Sequence, residues 1–411
     1  MKIIYISDCF IYGGSERNII NLMNNISETT EHEVHFIYRS HKDYQDGVQR
    51  DISSKVHVHP IKLFNAFLHF YRIDQNIASK RFGQVLKIPY LLLQISQLPS
   101  LCSALRIFFL LKKLQPDLVH VNNGGYPASA ICQTAIFAAI VAKIRGLVYH
   151  INNPAQRRIS FFDKRFDKFL GKHVSCFTAA SQQTIRSLEE HCKFPSEKIE
   201  QIYNTIETPI IKHTREEILK LYVLPEDIFV LCEVAFLDKR KGQTYILEGL
   251  KIIKSERPEI FEKIVLFLVG EGSTVHELKS YCDHHGLKNV IFAGYQSNYA
   301  DYINAADLFL LPSIGGEDMP LVILVAMYLK KAIISTPVAG ILEEIEHGVS
   351  GRLVAIENLG QLNKDIIEFF ESSTMRTSYG EQACARFLKH FSQHTVFAKF
   401  KNMYQRILSN E

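Results

Sequence analysis

One pattern constrains this chain more than any other. Short apolar runs rich in β-branched residues are each followed by a turn and then by a longer segment with helical spacing. KIIYIS (2–7) reads as a strand, Gly13–Gly14 as a turn and SERNIINLMNNI (15–26) as a helix. The strand series continues with EVHFIYR (33–39), VHVHPI (56–61), DLVHV (117–121), LVYHI (147–151) and SCFTAAS (175–181). ASAICQTAIFAAIVAKI (128–144) and QQTIRSLEEHC (182–192) are helix-like. Near-continuous apolar strands alternating with helices predict parallel sheets covered on both faces.

The alternation restarts beyond a polar, threonine-rich stretch, NTIETPIIKHTREEI (204–218). IFVLCEVAF (228–236), IVLFLVGEG (264–272), NVIFAG (289–294) and LFLLPS (308–313) are its strands. QTYILEGLKIIK (243–254), STVHELKSYCDHHG (273–286) and YADYINAAD (299–307) are its helices. The expected organisation is an α/β protein of two doubly wound, Rossmann-like domains facing a cleft, with domains at 1–205 and 206–385. TVFAKFKNMYQRILSN (395–410) lies in a last helical segment, 386–411. A length of 411 residues accords with more than one domain.

Charge is distributed unevenly. Residues 1–200 carry 25 Lys and Arg against 16 Asp and Glu, and the remainder 22 against 27. A basic first half suggests an anionic partner. Nucleic acid is not expected, because neither zinc-finger spacing nor an aromatic RNA-binding signature is present. The eight cysteines are dispersed without a CxxC pair, which fits reduced thiols in a cytoplasmic protein and no metal site. No run of about 20 apolar residues predicts a membrane span. Two stretches nevertheless mix basic and aromatic side chains in the way that suits an anionic leaflet. One (61–115) holds Lys62, Arg72, Lys80, Arg81, Lys87 and Arg106 among Phe64, Phe67, Phe70, Tyr71, Phe82, Phe108 and Phe109; the other is RRISFFDKRFDKFLGK (157–172). Amphipathic helices that merely cover a core have the same composition.

Ligands of such sheets bind beyond the carboxyl ends of the strands, at turns leading into helices. PSIGGEDMPLVILVAMYLKKAIISTPVAG (312–340) is the richest of these turns. Pro320 suits a helix start, and the amides that follow Glu317 then present a positive helix end to an anion, most naturally phosphate. Lys241, in LDKRKGQ (237–243), adds a point charge from the turn after the domain's first strand. A carboxylate beside a phosphate makes sense if it binds hydroxyls of the same ligand, and a sugar nucleotide meets both demands. Plainer readings stand beside these: a helix cap for Glu317, a solvated lysine at 241, an ordinary turn at Gly13–Gly14, a hydrogen-bonded core histidine at 150, and apolar packing at Val325.

In order and spacing, GGSER (13–17), PDLVHV (116–121), TAASQQTI (178–185), YNTIE (203–207), RKGQTYILEGL (240–250), LVGEGS (268–273), AADLFLLPS (305–313), EDMPLVILVAM (317–327) and STPVAGILEEIEHGVSGRLV (335–354) resemble the retaining GT-B glycosyltransferases of family GT4. The resemblance implies a GT-B fold whose C-terminal helix crosses back to the N-terminal domain. It also implies metal-independent transfer of a hexosyl unit from a UDP- or GDP-sugar, with no other cofactor. The implied acceptor is a glycan or lipid-linked glycan of a bacterial capsule or lipopolysaccharide, at the cytoplasmic face of the membrane. Glu317 matches the first glutamate of the family's Glu-x7-Glu motif, at the transferred sugar, with the backbone of Met319, Pro320, Leu321 and Val322 at the diphosphate. Lys241 matches the diphosphate-binding lysine, with Arg240 beside it. Gly13 and Gly14 match the loop that approaches the donor, and His150 a histidine near sugar and acceptor. Two positions depart. Val325 stands where the second glutamate binds the ribose, and Phe236 where an arginine is common. A non-catalytic GT-B protein that binds a glycan, nucleotide or partner enzyme is the alternative those departures suggest.

Overall fold

A computed structural model describes residues 1–9, 12–62, 84, 86–87, 98–157 and 160–409. The chain forms two compact units. Unit 1 comprises residues 1–179, 184–202 and 399–411, and unit 2 comprises 180–183 and 203–398.

Among the described residues, unit 1 is built on seven parallel strands: β1 (Lys2–Ser7), β2 (Glu33–Arg39), β3 (His57–Ile61), β4 (Leu118–Asn123), β5 (Gly146–Ile151), β6 (Cys176–Ala179) and β7 (Ile199–Gln201). Their order is β3-β2-β1-β4-β5-β6-β7. β4 and β5 are buried along their whole length, as expected of strands covered on both faces. The core beside them contains Ile4, Ile6, Val119, Val121, Tyr149 and Phe177. Ser129 starts the helix Ala130–Val141 by accepting the amides of Ile131 and Cys132, satisfying two of the donors that every helix start leaves open.

Unit 2 repeats the scheme with β8 (Phe229–Val234), β9 (Ile264–Val269), β10 (Val290–Gly294), β11 (Leu308–Leu311), β12 (Ala332–Ser335) and β13 (Arg352–Leu353), in the order β10-β9-β8-β11-β12-β13. The polar stretch between the two series has a local reason. Thr214 and Glu217 form a capping box that starts the helix Arg215–Leu221, worth about 1 kcal/mol. The long segment of unit 2 begins ahead of it, at Tyr203.

The expected break at 385 falls inside the helix Ser373–His390, which packs against β12 and the helix Leu321–Tyr328. Unit 2 therefore runs on to Ala398. The last helix, Gln393–Ser409, belongs to unit 1 from Lys399 onward. There the Tyr404 hydroxyl lies 3.1 Å from that of Tyr5 and 2.5 Å from His120 Nδ1. All three side chains are buried.

Candidate functional site

β8 and β11 are hydrogen-bonded neighbours at the point where the strand order of unit 2 reverses, although Leu231 and its partner Leu308 are far apart in sequence. The turns leaving such a pair diverge to opposite faces and open a crevice beyond the sheet. Here the turns are 235–242 and 312–320. The Ile314 amide donates to the Arg240 carbonyl at 2.8 Å and ties them together. Gly242 has φ +83°, and a Cβ there would come within 2.1 Å of the Pro312 carbonyl oxygen. A side chain at this position would push the turns apart.

This approach brings Lys241 onto Glu317. The ammonium donates to Glu317 Oε1, and the Ser313 hydroxyl donates to the same oxygen at 3.2 Å. Both partners of the pair are buried. Arg240 stands at the rim. Its Nη1 donates to the Gly316 carbonyl at 2.6 Å and lies 3.7 Å from Glu317 Oε1, while its Nε donates to Asp238 at 3.1 Å. Asp238 also caps the short turn Lys239–Lys241 through the Arg240 amide.

Pro320 is the N-cap of the helix Leu321–Tyr328. The first-turn amides of that helix, those of Leu321 and Val322 included, have no acceptor within it. The carbonyl of Met319 is held by Asn204 Nδ2 at 3.1 Å. Val325 is only 2% exposed and packs in the apolar cluster with Ile323, Leu324 and Met327. Its position therefore offers a ligand nothing in this structure.

Further carboxyls surround the pair. Glu233 lies at the end of β8 and accepts from Gln243 Nε2 at 3.0 Å. Burial pushes its carboxyl well above the usual range, against the opposing pull of Lys241. Glu344 is fully buried, and neither of its carboxyl oxygens has a hydrogen-bond partner among the described residues. Burial, and then the charges of Glu317, Asp318 and Glu343, push it well above the usual range. Burial thus disfavours a negative charge on both of these carboxyls beside Lys241 and Arg240.

Residues 12–209 match the family described as Glycosyltransferase Family 4, and residues 214–386 match Glycosyl transferases group 1. The chain belongs to the family 4, group 1 glycosyltransferases. This glycosyltransferase is 22% identical to an uncharacterized glycosyltransferase, MJ1069, of Methanocaldococcus jannaschii, across 97% of this chain and 96% of that one. It is also 22% identical to the amylovoran biosynthesis glycosyltransferase AmsK of Erwinia amylovora, across 82% and 89%. Among solved structures, Anabaena Alr3699/HepE in complex with UDP superposes with a TM-score of 0.76 at 18% identity, covering 99% of this chain and 100% of that one. At that identity the likeness speaks for the fold, which is GT-B.

In unit 1 of the glycosyltransferase the strand order reverses between β1 and β4, and the sequence-derived residues lie after β1 and on β5. Gly13 and Gly14 begin the helix Gly14–Thr29 after β1. A Cβ on Gly13 would meet nothing closer than Glu16 Oε2 at 3.5 Å, so the turn itself has room to spare. His150 lies on β5, in register with Asn122 of β4. Its Nδ1 is 2.8 Å from Thr178 Oγ1 and its Nε2 3.2 Å from Asn152 Oδ1. Burial pushes this imidazole down to about 4, so it is neutral near pH 7.

Sequence reasoning assigned Lys241, Arg240 and Glu317 to one ligand site; the structure brings them together and adds a direct ion pair between Lys241 and Glu317. It missed Ser313, Asn204, Glu233 and Glu344. Ser313 and Asn204 sit in the quoted stretches LFLLPS and YNTIE, and their polar ends next to strand exits were the available signal. Nothing in the sequence distinguished Glu344 from its exposed neighbour Glu346.

Of the stretches rich in basic and aromatic residues, Phe161 and Phe162 are exposed at the start of the helix Phe161–His173, and Phe109 is exposed on the helix Leu98–Leu114. Phe64, Phe67, Phe70, Tyr71, Arg72, Lys80, Arg81, Phe82 and Arg158 lie outside the described residues. Among the described residues, no helix is long and apolar enough to cross a membrane, and no group of three or more His, Cys, Asp or Glu is placed to hold a metal ion.

Proposed function

We propose that this glycosyltransferase moves a hexosyl unit from a UDP- or GDP-sugar, with retention of configuration and without a metal, to a glycan or lipid-linked acceptor in the assembly of a bacterial surface polysaccharide. The observation that carries the donor half of this reading is the buried Lys241–Glu317 pair, at the strand-order reversal of unit 2 and four residues ahead of the helix Leu321–Tyr328. Lys241, Arg240 and the amides of Leu321 and Val322 suit a diphosphate. Glu317, already accepting from Lys241 and Ser313, suits the hydroxyls of the attached sugar. Unit 2 is then the donor domain and unit 1, which holds Gly13, Gly14 and His150, the acceptor-side domain. The polysaccharide setting is supported by the similarity to AmsK, and UDP by the fold shared with a UDP-bound protein.

In this reaction the bond between the sugar's anomeric carbon and the diphosphate oxygen breaks, and the acceptor oxygen bonds to that carbon on the same face. The acceptor's proton passes to the departing diphosphate. The chain's contribution is electrostatic: Lys241 and the helix-start amides stabilise the charge that develops on the leaving oxygen. His150, neutral and hydrogen-bonded at both ring nitrogens, is a positioning residue in this scheme. With Val325 buried, ribose binding falls to groups other than the motif's second carboxylate.

Calorimetric titration of UDP and GDP into the wild type and Lys241→Ala tests the donor site. Binding of one nucleotide, weakened at least tenfold in the variant, is expected; charge-assisted contacts contribute about 1.5–3 kcal/mol. Absence of binding by either nucleotide would refute the reading. The anomeric configuration of the product, determined by proton NMR, tests retention, and undiminished turnover in excess EDTA tests metal independence.

A further inference from the structure

Gly13 has room around it, so the place of its turn is set by the residues on either side. Tyr12 is one of these, and its side chain lies against the helix Lys42–Asp51. Gly47 stands inside that ten-residue helix, where glycine is disfavoured because it gives up more backbone freedom than any other residue. The reason for it is steric. A Cβ at position 47 would come within 2.3 Å of Tyr12 Cγ and 2.7 Å of Tyr12 Cβ. We propose that Tyr12 is a peg that sets the Gly13–Gly14 turn, that Gly47 is its socket, and that both are positioning residues for glycosyl transfer.

Two helices enclose the peg. Arg17, on the helix Gly14–Thr29, places its guanidinium carbon 5.8 Å from the centre of the Tyr12 ring. Arg50, on the helix Lys42–Asp51, places its own at 5.4 Å, and the fully buried Tyr44 ring lies 6.3 Å away. Guanidinium and aromatic neighbours at these distances attract a tyrosine ring. Beyond Gly13 the chain is already helical, since the Arg17 amide donates to the Gly13 carbonyl at 3.1 Å. The turn is thus held immediately before Gly13 and immediately after it.

The Tyr12 atoms nearest position 47 decide what a larger residue there would do. The tip of a side chain can swing to another rotamer, but Cβ is bonded to Cα and moves only with the backbone. Carbon atoms pack best at about 3.5–4.0 Å, so a methyl group at 47 displaces Tyr12, and the glycine joined to it, by about 1 Å. A displacement of that size near a reacting centre costs up to about a hundredfold in rate. The hydrogen bonds of Lys241 and Glu317 are made within unit 2, so nucleotide affinity reports on a different part of the protein.

The proposal rests on unit 1 being the acceptor-side domain, and the test keeps the two apart. Melting temperature is measured for wild type, Tyr12→Ala, Gly47→Ala and the double variant. UDP and GDP affinity is measured by calorimetry, and turnover as hydrolysis of a panel of UDP- and GDP-hexoses with water as the acceptor. Gly47→Ala should melt below wild type although alanine is the better helix former. In the Tyr12→Ala background the same substitution should raise the melting temperature by about 2–4 °C. Turnover should fall at least about tenfold in both single variants and stay low in the double variant, whose stability recovers. Nucleotide affinity should keep its wild-type value in all three, and Tyr12→Phe, which retains the ring, should keep wild-type turnover. A Gly47→Ala variant that melts above wild type overturns the socket. Wild-type turnover in Tyr12→Ala, or turnover that recovers with stability in the double variant, marks a merely structural contact and overturns the positioning role. A wild type that hydrolyses none of the panel refutes the UDP- or GDP-hexose reading and takes the positioning role with it, while the melting temperatures still decide the peg and socket.

Discussion

Replacing Lys241 by methionine removes the cation from a pair whose side chains are 10% and 7% exposed, while keeping the apolar stem. Glu317 is then left with the Ser313 hydroxyl at 3.2 Å and with Arg240 at 3.7 Å, the latter on a side chain 43% exposed. Breaking a buried pair from one side costs about 3–5 kcal/mol, because the remaining charge stays uncompensated. Arg240 is close enough to recover part of that loss, so the expected destabilisation is near the lower end, about 3 kcal/mol. For a unit of this size that is a fall of roughly 6–12 °C in the melting temperature of its transition. Differential scanning calorimetry would measure it. The double variant Lys241→Met/Glu317→Gln removes both charges and should recover most of the loss, while nucleotide affinity stays low in both. A single variant that melts with the wild type, or a double variant no better than the single, would refute the claim that the pair is buried and mutually dependent.

Three further outcomes follow from neighbouring features. Glu344 has a folded-state pKa raised by burial, so its cost is absent below about 4.3, the unfolded value, and grows as pH rises toward the folded value. Glu344→Met should therefore stabilise the protein by about 1–3 kcal/mol at pH 8 and by less at pH 4, measured by urea unfolding; a gain that shrinks as pH rises would contradict this. Val325→Glu places a carboxylate inside the apolar cluster around Leu324 and Met327 and should cost about 3 kcal/mol or more. Tighter UDP binding at unchanged melting temperature would show that position 325 is open to the ribose after all. Finally, sedimentation with vesicles of anionic phospholipid should carry the wild type down, and the Phe161→Ser/Phe162→Ser double variant should remain largely in the supernatant. Vesicle binding that is equal in both would remove this exposed pair from any membrane contact.

Strand periodicity made the architecture legible, because strands buried on both faces leave continuous β-branched runs that little else in a soluble chain produces. β4, β5, β8 and β9 are all of this kind. The site was legible as residues of one ligand site, since glycines, Pro320, Glu317 and Lys241 punctuate strand exits. The direct Lys241–Glu317 ion pair was not, because that contact follows from the strand order, which no local pattern encodes. Val325 shows the same limit from the other side. Its apolar character was plain, but only packing shows that it is enclosed by neighbours on its own helix and beyond. The unit boundary near 398 was hidden as well. The helices Ser373–His390 and Gln393–Ser409 have similar composition, and the two sides of that boundary differ in what they pack against.

The Tyr404 hydroxyl between Tyr5 and His120 has a consequence for biosynthesis. The N-terminal unit leaves the ribosome first, yet its central strands β1 and β4 await a side chain that emerges after the whole of unit 2. Order of translation and order of completion are thus reversed, and a nascent chain halted anywhere before residue 404 carries an N-terminal unit that lacks its last buried hydroxyl. Damage near Tyr404 will register at Tyr5 and His120, on β1 and β4.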